Sequence, residues 1–105
     1  MHVTVDLDFD PPALSLLEPD DCTRFDVVVH GPGDPDHLGR VLAGTAIGRL
    51  EGGEALVSVA AIRKLASGSV SEKWEADFVA MLDYARSRGW LTDDGLDIRA
   101  HVEWH

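Results

Sequence analysis

Residues 45–59 read TAIGRLEGGEALVSV, and the fold depends on whether this stretch forms a helix or a β-hairpin. If the preceding helix ran on through it, Gly44 and Gly48 would lie in a helix interior, where each costs about 1 kcal/mol relative to alanine. A hairpin that turns on Gly52 and Gly53 avoids this cost, because glycine suits the tight turns that join two antiparallel strands. We therefore predict a hairpin.

The pairing of this hairpin places six small or apolar residues on one face, as a half-buried hairpin requires. At its tip Glu51 lies opposite Glu54, which is a minor cost. Gly53 is expected to take a positive φ in the turn. The three pairs on the apolar face are Leu50 with Ala55, Gly48 with Val57, and Ala46 with Val59.

A short helix is predicted immediately before the hairpin. Asp34 is typical of an N-cap, and Pro35 is favoured at the first helical position. Gly44 then ends the helix. Upstream, residues 23–30 form a strand whose three consecutive valines lack alternation, so we expect this strand to be central and buried on both faces.

The N-terminal residues predict a further strand. Residues 3–9 alternate between apolar and polar side chains, which indicates a strand with one acidic face. Pro11 and Pro12 stop it. Residues 13–17 are predicted to form a short helical turn.

Two helices and a last strand are predicted after the hairpin. A short helix covers residues 60–66, and Ser69 with Glu72 matches a capping box that opens the main helix. Gly89 closes that helix, with Trp90 packed back on its last turn. The core-facing stripe of the main helix is Val70, Trp74, Phe78, Met81, Leu82 and Ala85. In the last strand, Ile98, Ala100, Val102 and Trp104 alternate with Arg99, His101, Glu103 and His105.

These elements predict an α+β fold built as a two-layer sandwich. The order β-β-α-β-β-α-α-β gives a five-stranded, mostly antiparallel or mixed sheet with helices on one face and a polar face left open. A chain of 105 residues is expected to form a single domain, residues 1–105.

The charge of the chain excludes several partners. Nineteen carboxylates against nine basic residues give a formal charge of −10. Nucleic acids and anionic membrane surfaces bind through cations, so we expect neither as a partner. Basic protein surfaces remain compatible with the charge, which also favours solubility.

Residue usage points to a bacterial cytoplasmic protein. The chain has one cysteine, which excludes an internal disulfide, and its first residues show neither the basic nor the apolar segment of a secretion signal. It has no Asn or Gln and seven Arg against two Lys, as GC-rich bacterial coding favours.

Residues 30–37, HGPGDPDH, are the densest polar cluster, and they lie at a strand-to-helix junction. His30, Asp34 and His37 could supply an open divalent-metal site. Helix capping by Asp34 is the simpler interpretation. A phosphate site is disfavoured because prolines remove amide donors and aspartates repel the anion.

Three other polar groups are candidate sites. Asp6, Asp8 and Asp10 resemble the start of a calcium loop but lack its glycine and its final glutamate. His101, Glu103 and His105 share a strand face, yet the two histidines are about 13 Å apart in an extended strand. Cys22 follows two aspartates, whose charge raises a thiol pKa and so disfavours a nucleophile. For the first two groups, a strand face that points to solvent is the simpler interpretation.

We therefore predict a non-catalytic acidic protein that acts through its surface, as an interaction, regulatory or inhibitor-type module, with a homodimer as a further option. No cofactor is expected. The alternative is a small metal-assisted or acid–base enzyme built on residues 30–37. A small-ligand site between sheet and helices has no sequence feature of its own.

Overall fold

In residues 1–31 and 33–105, which the computed structural model describes, six strands form one mixed sheet and three helices cover one of its faces. The elements in chain order are β1 (His2–Asp6), β2 (Ala13–Leu17), β3 (Asp26–His30), α1 (Pro35–Gly44), β4 (Gly48–Glu51), β5 (Glu54–Ser58), α2 (Val59–Ala66), α3 (Trp74–Ser87) and β6 (Asp97–Trp104).

The strands lie side by side in the order β2-β1-β3-β6-β5-β4. β3 is parallel to both β1 and β6, and the remaining neighbours are antiparallel. The α+β class and the mixed sheet agree with the prediction, and β3 is central as expected. Its middle residue Val28 is only half-buried, because helices cover one face of the sheet and not both.

The covered face of the sheet is a continuous aliphatic surface supplied by alternate residues of four strands. Full burial of such side chains contributes roughly 1.5–3 kcal/mol each. The sheet contributes Val3, Val5, Val27, Val29, Ala55, Val57, Ile98, Ala100 and Val102 to this core. The helices contribute Leu38, Leu42, Ile62, Ala66, Trp74, Phe78, Met81 and Ala85.

The predicted hairpin is confirmed over most of its length. Gly48 pairs with Val57, and Leu50 pairs with Ala55. The predicted pair of Ala46 with Val59 is wrong, because Ala46 takes a left-handed turn (φ 58°) after α1 and Val59 begins α2. The positive φ predicted for Gly53 is also wrong. Gly52 has the positive φ in the turn instead, as in a type II′ turn.

The Glu51–Glu54 repulsion at the hairpin tip is relieved by a neighbouring strand. Arg99 of β6 reaches Glu51 at 3.2 Å and Glu54 at 3.3 Å. Arg49 of β4 reaches Asp97 at 3.2 Å. These exposed pairs are worth little individually, but they neutralise carboxylates on the open face of the sheet.

Residues 13–17 are a strand, so the predicted helical turn is wrong and the sheet has six strands instead of five. Ala13–Leu17 runs antiparallel to β1, with Ser15 opposite Thr4. Leu14 and Leu16 reach the core side of the sheet, whereas Ala13, Ser15 and Leu17 are exposed. Pairing with β1 selects this strand, and five residues of local sequence carried no such information.

The predicted capping box is also wrong. α3 begins at Trp74 with Lys73 as its N-cap, and no side chain bonds to the first amides. Gly68 takes φ 82° after α2, so Ser69 lies in a turn too early to cap α3. The predicted end is confirmed: Gly89 has φ 76°, and the amide of Trp90 donates to the Ala85 carbonyl at 2.9 Å.

None of the helices in the described ranges 1–31 and 33–105 is long and apolar enough to cross a membrane.

Phe78 is fully buried, and its ring stacks on Trp74 with centroids 4.6 Å apart. We expect Phe78→Ala to lower the free energy of unfolding by about 3–5 kcal/mol, because the substitution opens a cavity in the core. Val79→Ala on the same helix is the control, since Val79 is exposed and should change stability by about 0.5 kcal/mol or less. Urea denaturation of both variants measures the difference, and equal losses would contradict the placement of α3.

The two tip glycines allow a test of backbone strain alone. A Cβ at Gly52 or at Gly53 would meet no atom within 4 Å, but only Gly52 has positive φ (65°). We expect Gly52→Ala to be destabilising by about 1 kcal/mol more than Gly53→Ala, because alanine in the left-handed region is strained. Thermal unfolding compares the two, and a larger loss at Gly53 would refute the turn.

Candidate functional site

Asp34 caps helix α1. Its carboxylate oxygen accepts hydrogen bonds from the amide of Asp36 at 3.1 Å and from that of His37 at 3.3 Å. Pro35 occupies the first helical position. These contacts satisfy amides that a helix start leaves free, so the predicted cap is confirmed. Pro32, part of the polar cluster of residues 30–37, lies outside the described residues.

Of the other two predicted metal ligands, His37 joins this cap through its backbone amide, whereas His30 lies at the end of a strand. His30 ends β3, and its ring centroid is 5.5 Å from that of His105. His37 is half-buried in the first turn of α1. Within residues 1–31 and 33–105, no group of three or more His, Cys, Asp or Glu side chains is placed to hold a metal ion. The structure does not bring His30, Asp34 and His37 together as a ligand set.

The three N-terminal aspartates do not share one strand face. β1 ends at Asp6, and the Asp6 carboxylate accepts a hydrogen bond from the Asp8 amide at 3.0 Å. This bond starts the turn toward β2, so Asp8 and Asp10 lie in the turn. The predicted strand over residues 3–9 is therefore too long.

The histidine and glutamate face of β6 lies on the open side of the sheet, as predicted. His101 is in register with Asp26 of β3 and Glu54 of β5. Both carboxylates already have partners, because Arg24 lies 3.1 Å from Asp26 and Arg99 contacts Glu54. A hollow of about 230 Å³ is present here, and its charges compensate one another.

A larger groove, of about 420 Å³, lies between α3 and the loop that precedes β3. We call it the acidic groove. Its helical wall uses residues three and four positions apart, which lie on one side of a helix. Met81 gives it an apolar floor, and Tyr84 stands exposed at its rim. Its lining residues are Asp20, Cys22, Thr23, Asp77, Ala80, Met81 and Tyr84.

Trp74 fixes the loop that forms the second wall of the acidic groove. Its indole Nε1 donates a hydrogen bond to the Pro19 carbonyl at 2.7 Å, while its ring is buried against Phe78. Thr23 donates to the Asp21 carboxylate from its amide at 3.1 Å and from its hydroxyl. The loop between β2 and β3 is therefore bound to the core at Pro19. Hydrogen bonds between Asp21 and Thr23 stabilise its next residues.

The carboxylates around the acidic groove give it a net negative charge, which the nearby terminal ammonium of Met1 offsets in part. Burial raises the pKa of the Cys22 thiol, and the charge of Asp77 raises it further, so the thiol stays protonated at neutral pH. Hydrogen bonds from Thr23 lower the pKa of Asp21, which stays ionised. Among the described lining residues none is basic, and Asp20 and Asp77 are in none of the ion pairs found there.

Aromatic side chains extend the rim of the groove. Tyr84 and Trp90 meet edge to face, with ring centroids 5.9 Å apart. The guanidinium of Arg88 lies 5.4 Å from the Trp90 ring centroid, so a cation already packs on this pair.

Sequence reasoning did not find the acidic groove. Its walls come from Asp20 and Cys22 on one side and from Asp77 and Tyr84 on the other, more than fifty positions along the chain. One signal was available, since Asp77 and Tyr84 share a helix side next to the core stripe. An exposed tyrosine on that side marks a surface and not the core.

Comparison of the chain with family models, curated proteins and solved structures gives no match in any of the three. Its function therefore has to be inferred from the residues themselves.

The cap at Asp34 leads to a test of the metal hypothesis. We expect the wild-type protein and a His30→Ala/His37→Ala double variant to bind Zn²⁺ equally and weakly, because the third proposed ligand, Asp34, already bonds to backbone amides. Calorimetric titration of both proteins measures this. Tight binding by the wild type that disappears in the double variant would instead establish a metal site there.

Proposed function

We propose that this protein is a non-catalytic, surface-acting module of the bacterial cytoplasm, a regulator or inhibitor whose acidic groove receives a basic side chain of a protein partner. The acidic groove is the observation that carries this proposal: it combines two carboxylates, an apolar floor and an exposed tyrosine at its rim, and no lining residue in the described part of the chain is basic.

Charge determines the class of partner. The chain carries a formal charge of −10, and arginines offset several carboxylates of the open sheet face. The acidic groove keeps Asp20 and Asp77 available. A basic protein surface would be attracted over a distance by the net charge and held at this point by direct pairing.

The shape of the groove suits a long basic side chain. Lysine and arginine carry their charge on an apolar stem, which gains from contact with Ala80 and Met81. The charged head can then pair with Asp20 or Asp77, and a guanidinium can also lie over the face of Tyr84. A short polar side chain would fill neither part.

The environment of Cys22 supports binding more than catalysis. A thiol acts as a nucleophile in its thiolate form, and the raised pKa of Cys22 disfavours that form. The same negative potential opposes nucleic acids and anionic membranes, whose phosphates would be repelled.

A pair of double variants with equal net charge tests the proposal. The groove variant is Asp20→Asn/Asp77→Asn, and the control is Asp8→Asn/Asp10→Asn in the turn after β1. With an acetylated, amidated arginine-rich hexapeptide as the probe, we expect the groove variant to bind at least about fivefold more weakly than wild type, a loss of about 1 kcal/mol. Calorimetry at moderate salt measures the affinities.

The control separates a site from general attraction. We expect Asp8→Asn/Asp10→Asn to bind the peptide nearly as the wild type does. If both double variants lose the same affinity, the peptide senses only the net charge, and the acidic groove is not its site.

A further inference from the structure

β2 is a sheet edge without the usual protection against pairing. One side of β2 bonds to β1, and within residues 1–31 and 33–105 no strand lies on its other side. Sheet edges expose unpaired amides and carbonyls, and proteins normally protect them with charges, prolines or very short strands. The five residues of β2, ALSLL, include no charge and no proline.

The opposite edge of the sheet is protected in the usual way. β4 has four residues and carries Arg49 and Glu51. α1 packs beside it, and a Cβ at Gly39 of α1 would lie 3.8 Å from Leu50. The contrast between the two edges singles out β2 as the place where another strand can add.

We propose that β2 pairs antiparallel with β2 of a second copy of this chain, about a two-fold axis at Ser15. A two-fold axis brings the same surface of both copies together, so the strand must be complementary to itself. With Ser15 opposite itself, Leu14 faces Leu16 of the second copy, and Ala13 faces Leu17. The five residues then pair without placing any charge in the joint sheet.

The leucines give this arrangement its apolar contact. Leu14 and Leu16 are only half-buried, whereas their neighbours Val3 and Val5 on β1 are fully buried. Helix α2 contacts β2, yet both leucines stay partly exposed, and within the described ranges no further strand lies beyond them. In the joined sheet, Leu14 of each copy would contact Leu16 of the other. Apolar cross-strand pairs of this kind stabilise a sheet.

The residues that flank β2 oppose this contact at low ionic strength. In the same register, Asp10 would approach Asp20 of the second copy beyond the ends of the strand. The two chains also carry −10 each. Salt screens such repulsion, so dimerisation should strengthen as salt is raised.

Opposite charges placed at Ser15 test the axis. Ser15 is exposed on the open face, so Ser15→Glu and Ser15→Lys should leave the fold intact. Each variant puts two like charges directly opposite each other, which raises the dissociation constant of the dimer up to about fivefold. An equimolar mixture of the two variants pairs glutamate with lysine, so it should dimerise at least as well as wild type. Sedimentation equilibrium at low and high salt measures all three samples.

Ser87→Glu and Ser87→Lys are matched controls at the exposed end of α3, and circular dichroism checks that every variant is folded. We expect both controls to dimerise like wild type. A wild-type chain that stays monomeric at high concentration and high salt would overturn the proposal. So would a dimer insensitive to both Ser15 variants, or a mixture that fails to restore it.

The test is independent of the acidic groove. If net charge alone controlled association, Ser15→Lys would strengthen the dimer and Ser15→Glu would weaken it. The two-fold axis predicts that both weaken it, which separates the two explanations.

Discussion

The packing of Trp74 and Phe78 against the valine face of the sheet is the contact on which the other features depend. Phe78 is fully buried, and Trp74 stacks on it while its indole N–H reaches the Pro19 carbonyl. Through these two side chains, α3 is fixed both to the sheet and to the loop that leads into β3. The acidic groove depends on this contact, because it joins α3, one wall of the groove, to the loop that forms the other.

Local chemistry explains what the sequence predicted correctly. A cap, a proline and a terminal glycine define α1, and a pair of glycines defines the hairpin, so each signal lies within a few residues of the feature it determines. β6 was predictable for the same reason, because buried residues alternate with partly or fully exposed ones from Asp97 to Glu103; only Trp104, predicted on the apolar face, is exposed there.

The strand β2 and the acidic groove were missed because residues distant in sequence determine them. β2 is a strand because β1 lies beside it, and its short leucine-rich sequence fits a helical turn equally well. The capping box at Ser69 failed because Gly68 turns the chain before α3 begins. The acidic groove joins residues 20–23 to residues 77–84, and the residue pattern of neither segment predicts that the two are in contact. His30, Asp34 and His37 show the opposite relation. They are near in sequence, but within the described residues they form no group placed to hold a metal ion.

The central claim is that a basic side chain binds between Asp20 and Asp77, and mapping of amide chemical shifts tests it most directly. Titration of the ¹⁵N-labelled protein with the arginine-rich hexapeptide should move the signals of residues 20–23 and 77–84 first and most. The turn at Asp8 and Asp10 should respond little. Shifts distributed over all acidic segments, or concentrated on the open face of the sheet, would contradict the account.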